Sequence, residues 1–123
     1  MILHVDRGWL LDLAQQFLPG DPDVIDFGTL AAAVARHADT VMDVPVYGNS
    51  HHRAASLMHQ LVRVPALEFA NEQFAAVVAA SYLTASGKVV TAEPKQAVEL
   101  ALRIRDGAAD VRQCAEVIRA WYR

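Results

Sequence analysis

The chain has 123 residues, 54% of them hydrophobic, so it is long enough to bury one core and too apolar to be disordered. Its net charge of −3 argues against nucleic acid or an anionic membrane surface as the main partner. The one cysteine, Cys114, cannot form an internal disulfide, and the N-terminal residues lack the pattern of a signal peptide. We therefore expect a single cytoplasmic domain over residues 1–123, with no direct nucleic-acid or membrane partner.

Six segments show helical periodicity behind a capping residue, which predicts an all-α fold. The predicted helices span residues 7–18, 27–37, 51–64, 72–86, 92–106 and 111–122. The predicted caps are Asp6, Asp26, Ser50, Asn71, Thr91 and Asp110. Because the fourth segment is apolar on nearly every side, we expect it to be the buried centre of a compact bundle.

Residues 39–49 separate the second and third predicted helices and contain Pro45 and Gly48 beside Val44, Val46 and Tyr47. Proline and glycine interrupt helices and are typical of turns. We predict a loop or a short β-hairpin here, and this segment is the best candidate for a mobile flap.

The link between the third and fourth predicted helices carries the most informative pattern. Residues 62–73 read VRVPALEFANEQ, which resembles the signature His-x-Phe-x-Asp-Gly/Ala-Asn-Lys-Arg of the death-on-curing (Doc) branch of the Fic family. Residues 57–63 before it, the buried segment 74–86 ending at Gly87, and the helix over 25–36 are also similar to that family. The resemblance covers most of the chain from residue 26 onward. It implies a compact Fic/Doc-like bundle of about six helices around a central buried helix, with a short β flap.

The motif is degenerate at the positions that would perform the family's chemistry. Aligned on the Ala-Asn pair, the family's catalytic histidine falls on Pro65, its phenylalanine on Leu67 and its metal-binding acid on Phe69. Its Lys-Arg pair falls on Glu72 and Gln73. The degenerate motif therefore comprises Pro65, Leu67, Phe69, Ala70, Asn71, Glu72 and Gln73.

These replacements bear on each part of the reaction that the resemblance implies. Fic-type enzymes move a nucleotidyl or phosphoryl group from ATP to a protein hydroxyl, with the histidine as general base and the acid on Mg²⁺. Loss of a general base alone costs about 10²–10⁴-fold in rate, and neither proline nor phenylalanine can replace a base or a metal ligand. We predict a pseudoenzyme with no confident catalytic residue, no metal site and no cofactor. The backbone amides near Asn71 retain the capacity for weak anion or nucleotide binding.

The resemblance also implies the partners. Doc-like toxins belong to bacterial toxin–antitoxin modules, so we expect an antitoxin that folds across a groove near the active-site loop. We place that groove between Tyr47, Gly48 and Asn49 on one side and residues 65–71 on the other. A translation factor is a further candidate target.

Two alternatives stay open at this point. In the first, the chain is an active transferase that uses ATP and Mg²⁺ with diverged residues such as His59, Glu68 or a flap residue. In the second, it is a non-enzymatic helical subunit that assembles with copies of itself. The last two predicted helices carry several arginines, which form either a solvated face or a docking face for an acidic segment. These arginines are Arg103, Arg105, Arg112, Arg119 and Arg123.

The remaining reactive side chains have plainer interpretations. His52 and His59 are two helical turns apart, too far to share a metal ion, so they and His51 are expected to serve packing or the surface. Cys114 lies on the apolar side of the last predicted helix, where a buried, inert thiol is expected.

Overall fold

The computed structural model describes residues 2–123, so Met1 of the predicted domain lies outside the described part. The described chain forms six α-helices and one two-stranded antiparallel hairpin. In chain order they are α1 (Arg7–Phe17), α2 (Phe27–His37), β1 (Thr40–Val41), β2 (Val44–Pro45), α3 (Ser50–Arg63), α4 (Asn71–Ala85), α5 (Pro94–Arg105) and α6 (Val111–Arg119). This confirms the predicted all-α class with a short β flap. Over residues 2–123, none of the helices combines the length and the apolar character needed to cross a membrane.

The centre of the bundle is a pair of helices, α3 and α4, which pack against each other. Around this pair, α3 also contacts α2, α5 and α6, while α4 also contacts α1 and α5. The buried residues of α4 are Phe74, Ala75, Ala76, Val78, Ala79, Tyr82 and Leu83. The prediction of α4 as the buried helix is confirmed, and α3 shares that role because its apolar face is covered by four neighbouring helices.

Three of the predicted helix caps are confirmed. The side chains of Asp6, Asp26 and Asp110 each accept a hydrogen bond from the backbone N–H three residues later, at 2.8, 3.1 and 2.8 Å. An N-cap carboxylate of this kind satisfies one of the amides that a helix start leaves without an internal partner. These three aspartate caps therefore define where α1, α2 and α6 begin.

The other three predicted caps are wrong. Asn49 rather than Ser50 precedes α3, and Ser50 is already helical. Glu93 rather than Thr91 precedes α5, because Pro94 at the first helical position fixes the start and Gln96 completes a capping box. Asn71 is the first residue of α4, and its side chain is used elsewhere, as described below.

A buried arginine joins four parts of the chain. Arg53 of α3 is only 5% exposed, and its guanidinium donates to the Tyr82 hydroxyl of α4 at 2.6 Å and to the Tyr47 carbonyl of the flap at 3.0 Å. The Tyr82 hydroxyl in turn donates to the Leu3 carbonyl at 2.6 Å. Because a buried charge is costly unless it is hydrogen-bonded, this arginine holds α4, the base of the flap and the N-terminal segment in one arrangement.

A second buried contact fixes the N-terminal segment. The backbone N–H of Val5 donates to Nε2 of His37 at 3.0 Å, and the opposite ring nitrogen is hydrogen-bonded to the Val34 carbonyl. His37 is 1% exposed. Burial lowers its pKa from the usual 6.5, and the nearby His4 and Arg53 lower it further, against the opposing effect of the Val34 carbonyl. The imidazole is therefore held neutral, which allows Nε2 to accept the Val5 proton.

This arrangement predicts an acid-sensitive fold. Because the folded pKa of His37 lies below 6.5, the unfolded chain binds the proton more readily, and the free energy of unfolding falls as pH drops below about 6.5 and on through the folded pKa. The contribution of one such group is at most about 1.4 kcal/mol per pH unit. Urea denaturation from about pH 8 to about pH 5 should show a shallower slope for His37→Gln than for the unaltered chain.

A matched change, His52→Gln, controls for the loss of a histidine outside this contact. An equal change of slope in the two variants would contradict the assignment to His37. The pKa values of His51 and His59 are also lowered chiefly by burial, so both add to the slope in the same direction, and His52→Gln removes a secondary cause of the lowering at His51.

Candidate functional site

The degenerate motif forms a loop that pairs with the segment before α2. Val24 and Leu67 form an antiparallel bridge, and the Ile25 N–H donates to the Ala66 carbonyl at 2.7 Å. Ala66 and Leu67 are almost completely buried. The loop is therefore a fixed part of the fold, held by backbone hydrogen bonds to a segment more than 40 residues earlier.

Glu68 extends this pairing by one further pair of bonds. Its N–H donates to the Asp23 carbonyl at 3.0 Å, and its Oε1 accepts the Asp23 N–H at 3.0 Å. The Glu68 carboxylate, one of the candidate substitute catalytic groups, thus joins the motif loop to the segment before α2.

Asn71 closes the motif loop from inside. Its Oδ1 accepts the Leu67 N–H at 3.0 Å, and its Nδ2 donates to the Leu67 carbonyl at 2.9 Å. The turn is completed by Ala70, whose backbone is left-handed (φ 64°, ψ 30°), a conformation that costs a non-glycine residue about 1 kcal/mol. Since the Asn71 amide is occupied at both ends, it does not cap α4. The weak anion site predicted at Asn71 stays a prediction.

The positions aligned with the family's chemical groups carry no such groups here. Pro65 is exposed and offers no side-chain donor or acceptor. Phe69 is 45% exposed, and its ring lies against Gly20, where an added Cβ would come within 3.1 Å of a ring carbon. Glu72 is paired with Arg105 of α5 at 3.4 Å, and Gln73 is exposed. The loop is therefore apolar and acidic at its surface.

His59 lies in a separate polar arrangement. Its Nδ1 is 3.3 Å from the Arg36 guanidinium, which also donates to the Tyr47 hydroxyl at 3.2 Å. Burial lowers the pKa of His59, and the charges of Arg36 and Arg63 lower it further. An arginine can only donate, so Nδ1 is the acceptor and the ring proton is on Nε2. The nitrogen that could take a proton is thus already occupied, which disfavours His59 as a replacement base.

The other histidines and the cysteine serve packing contacts. Nδ1 of His51 is 2.8 Å from the Tyr122 hydroxyl, and the His51 and His52 rings are 4.4 Å apart. Within residues 2–123, His, Cys, Asp and Glu side chains form no group of three or more that could hold a metal ion. Burial raises the pKa of Cys114 to about 11, so its thiol stays protonated at neutral pH, and the prediction that it is buried is confirmed.

An apolar groove of about 340 Å³ lies near the start of α4, between the end of α1 and the start of α5. Its lining includes Phe17, Gln73, Val77, Pro94 and Val98. This groove could not be predicted from the sequence, because α1 is separated from α4 and α5 by more than 50 residues along the chain. The groove predicted between Tyr47 and the motif loop stays a prediction. The hydrogen bonds of Tyr47 are with Arg36 and Arg53, and neither arginine belongs to that loop.

We expect the chain to lose stability when the two hydrogen bonds between Asn71 and Leu67 are removed. Asn71→Ala leaves the N–H and carbonyl of the buried Leu67 without these partners, which should lower the free energy of unfolding by about 2 kcal/mol. Asn71→Asp keeps the acceptor but loses the donor, so its effect should be intermediate. Urea denaturation at pH 7.5 measures both. Gln73→Ala, an exposed change two residues later, should stay within about 0.5 kcal/mol of the unaltered chain; an equally small effect of Asn71→Ala would contradict the role of these two hydrogen bonds.

Comparison with known proteins identifies the family of the chain. No family model matches the chain. The chain is 33% identical over 93 residues to the Toxin Doc of Mycolicibacterium smegmatis (strain ATCC 700084 / mc(2)155), an alignment that covers 76% of this chain and 72% of that toxin. With this identity over most of both sequences, and with the all-helical fold and flap described above, the chain belongs to the Doc toxin family.

Proposed function

We propose that the chain is the toxin-type component of a bacterial toxin–antitoxin module and acts by binding, as a pseudoenzyme, rather than by group transfer. The observation that carries this proposal is the motif loop itself. Proline and phenylalanine occupy the positions aligned with the base and the metal ligand, and the one polar survivor, Asn71, has both ends of its amide bonded to Leu67.

The electrostatics of the loop support the same proposal. Transfer from ATP requires positive charge around a triphosphate and its Mg²⁺. Here Glu72 adds a negative charge in the first turn of α4, and Arg105, the nearest cation to it, is already paired with Glu72 and Asp106. A phosphate at this helix start would approach a carboxylate that competes for the same amides.

The alternative of a diverged transferase has less support from the structure. His59 has its available nitrogen turned to Arg36, and the Glu68 carboxylate accepts the Asp23 N–H. His59 would have to give up its described hydrogen bond before Nδ1 could accept a proton from a substrate, and Glu68 is committed through one oxygen to holding the two loops together.

A nucleotide assay tests the proposal. We expect calorimetric titration of the purified chain with ATP and Mg²⁺ to give no saturable heat. We also expect incubation with cell extract and ATP labelled at either the α- or the γ-phosphate to give no labelled protein. Labelling of a protein hydroxyl at a rate that Asn71→Ala abolishes, while Gln73→Ala does not, would refute the pseudoenzyme. Loss of such labelling in His59→Gln would instead support the diverged transferase.

The antitoxin partner gives a second test. We expect a short reading frame next to this gene to encode a protein that co-purifies with the chain in a fixed ratio when the two are co-expressed. Complex formation should protect amides of the motif loop, residues 64–70, from hydrogen exchange. A stable complex that leaves this loop unprotected would place the partner elsewhere on the fold.

A further inference from the structure

Large apolar side chains are exposed on the surface formed by the two paired loops. Ile25 is 64% exposed, Phe27 56%, Phe69 45% and Val64 44%. All four belong to the segments 20–27 and 64–73, which the backbone bonds between 23–26 and 66–68 bring together. Clusters of this kind on a folded chain are typical of surfaces that bind a partner.

The two segments that form this surface are also acidic. Its five carboxylates are Asp21, Asp23, Asp26, Glu68 and Glu72, and neither segment contains a lysine or an arginine. Among the residues that the structure describes, only one of the five, Glu72, is within ion-pair distance of a cation. Asp21, Asp23 and Glu68 are exposed. We call this surface, residues 20–27 and 64–73, the acidic–apolar face.

We propose that the acidic–apolar face binds a basic protein segment that places apolar side chains against Ile25 and Phe69. This inference rests on the proposed function, in which the chain acts through binding, and it adds the chemistry of what is bound. Carboxylates and exposed apolar side chains in the same two paired segments are complementary to a partner segment that mixes lysine or arginine with apolar residues.

The charge of the face decides between possible occupants. Nucleic acid and anionic lipid would meet uncompensated carboxylates and be repelled. A second copy of this chain in a two-fold contact would place the same five carboxylates opposite themselves. A basic segment is the occupant that removes this repulsion rather than adding to it.

The face is also rigid enough to bind without a large ordering cost. The Ile25 N–H bond to Ala66 and the two bonds between Asp23 and Glu68 fix the loops relative to each other. Asn71 fixes the turn that carries Phe69. A preorganised surface loses little conformational freedom on binding, so modest contacts suffice for measurable affinity.

A peptide titration tests the inference on the full chain. The probe is a synthetic ten-residue peptide of alternating lysine and leucine, and the comparison peptide replaces every lysine with glutamate. We expect the lysine peptide to shift backbone NMR signals chiefly within residues 20–27 and 64–73. Binding should weaken steeply between about 0.05 M and about 0.5 M salt, because exposed charges are screened at high ionic strength.

Charge-neutralising variants provide the matched control. Together, Asp21→Asn, Asp23→Asn and Glu68→Gln keep the shape of the face and should weaken binding roughly tenfold, since each exposed ion pair contributes modestly. The control neutralises three exposed carboxylates outside the face, by Asp12→Asn, Asp43→Asn and Glu99→Gln, and should change affinity less than about twofold. Ile25→Ser, which removes one exposed apolar side chain, should weaken binding several-fold.

Three results would overturn the inference: equal loss in the two charge variants, equal binding of the glutamate peptide, or shifts centred on the α1–α4–α5 groove. The outcome is separable from that of the proposed function. If the chain labels no protein with ATP and does not bind the lysine peptide, only the proposed binding role of the acidic–apolar face is contradicted. A chain that binds the peptide at the face but transfers phosphate contradicts the pseudoenzyme alone.

Discussion

The guanidinium of Arg53 is the contact on which the arrangement of the fold depends. It lies in the first turn of α3 and is almost completely buried, and it donates to the hydroxyls of Tyr82 and Ser50 and to the Tyr47 carbonyl rather than to a carboxylate. A charge buried in this way is tolerated only while its hydrogen bonds are made. The helix pair, the base of the flap and the N-terminal segment must therefore adopt one mutual geometry.

Much of the fold could be predicted from the sequence, because helical periodicity is a local signal. The start of α2 and its end at His37 agree with the prediction, and so do the three aspartate caps. Caps were mistaken where a residue of the right type had a stronger competing use. Asn71 bonds to Leu67 instead of its own helix, and Pro94 moves the start of α5 past Thr91. The roles of Arg53 and His37 depend on residues distant in sequence, so no local pattern could reveal them.

The site was predictable in a different sense. The resemblance to the family motif drew attention to this loop and to its replaced positions from residue types alone, and the loss of catalytic groups there stays a prediction. The pairing of that loop with residues 23–26 was not accessible, because single bridges leave no alternation of apolar residues. For the same reason the acidic–apolar face could not be recognised: its carboxylates come from two segments that look unremarkable when read separately.

The two hydrogen bonds between Asn71 and Leu67 affect how the motif of this family is interpreted. Asn71 matches the asparagine of that motif, so its presence alone would suggest a catalytic role. In this chain it has a sufficient structural reason to be present, because the turn through the left-handed Ala70 needs a side chain that both donates to and accepts from Leu67. The backbone shape of the loop is thus fixed by the amide of Asn71 and by the pairing with residues 23–26. The exposed side chains at positions 65 and 69 take no part in those hydrogen bonds, so a substitution there leaves the bonds that shape the loop in place.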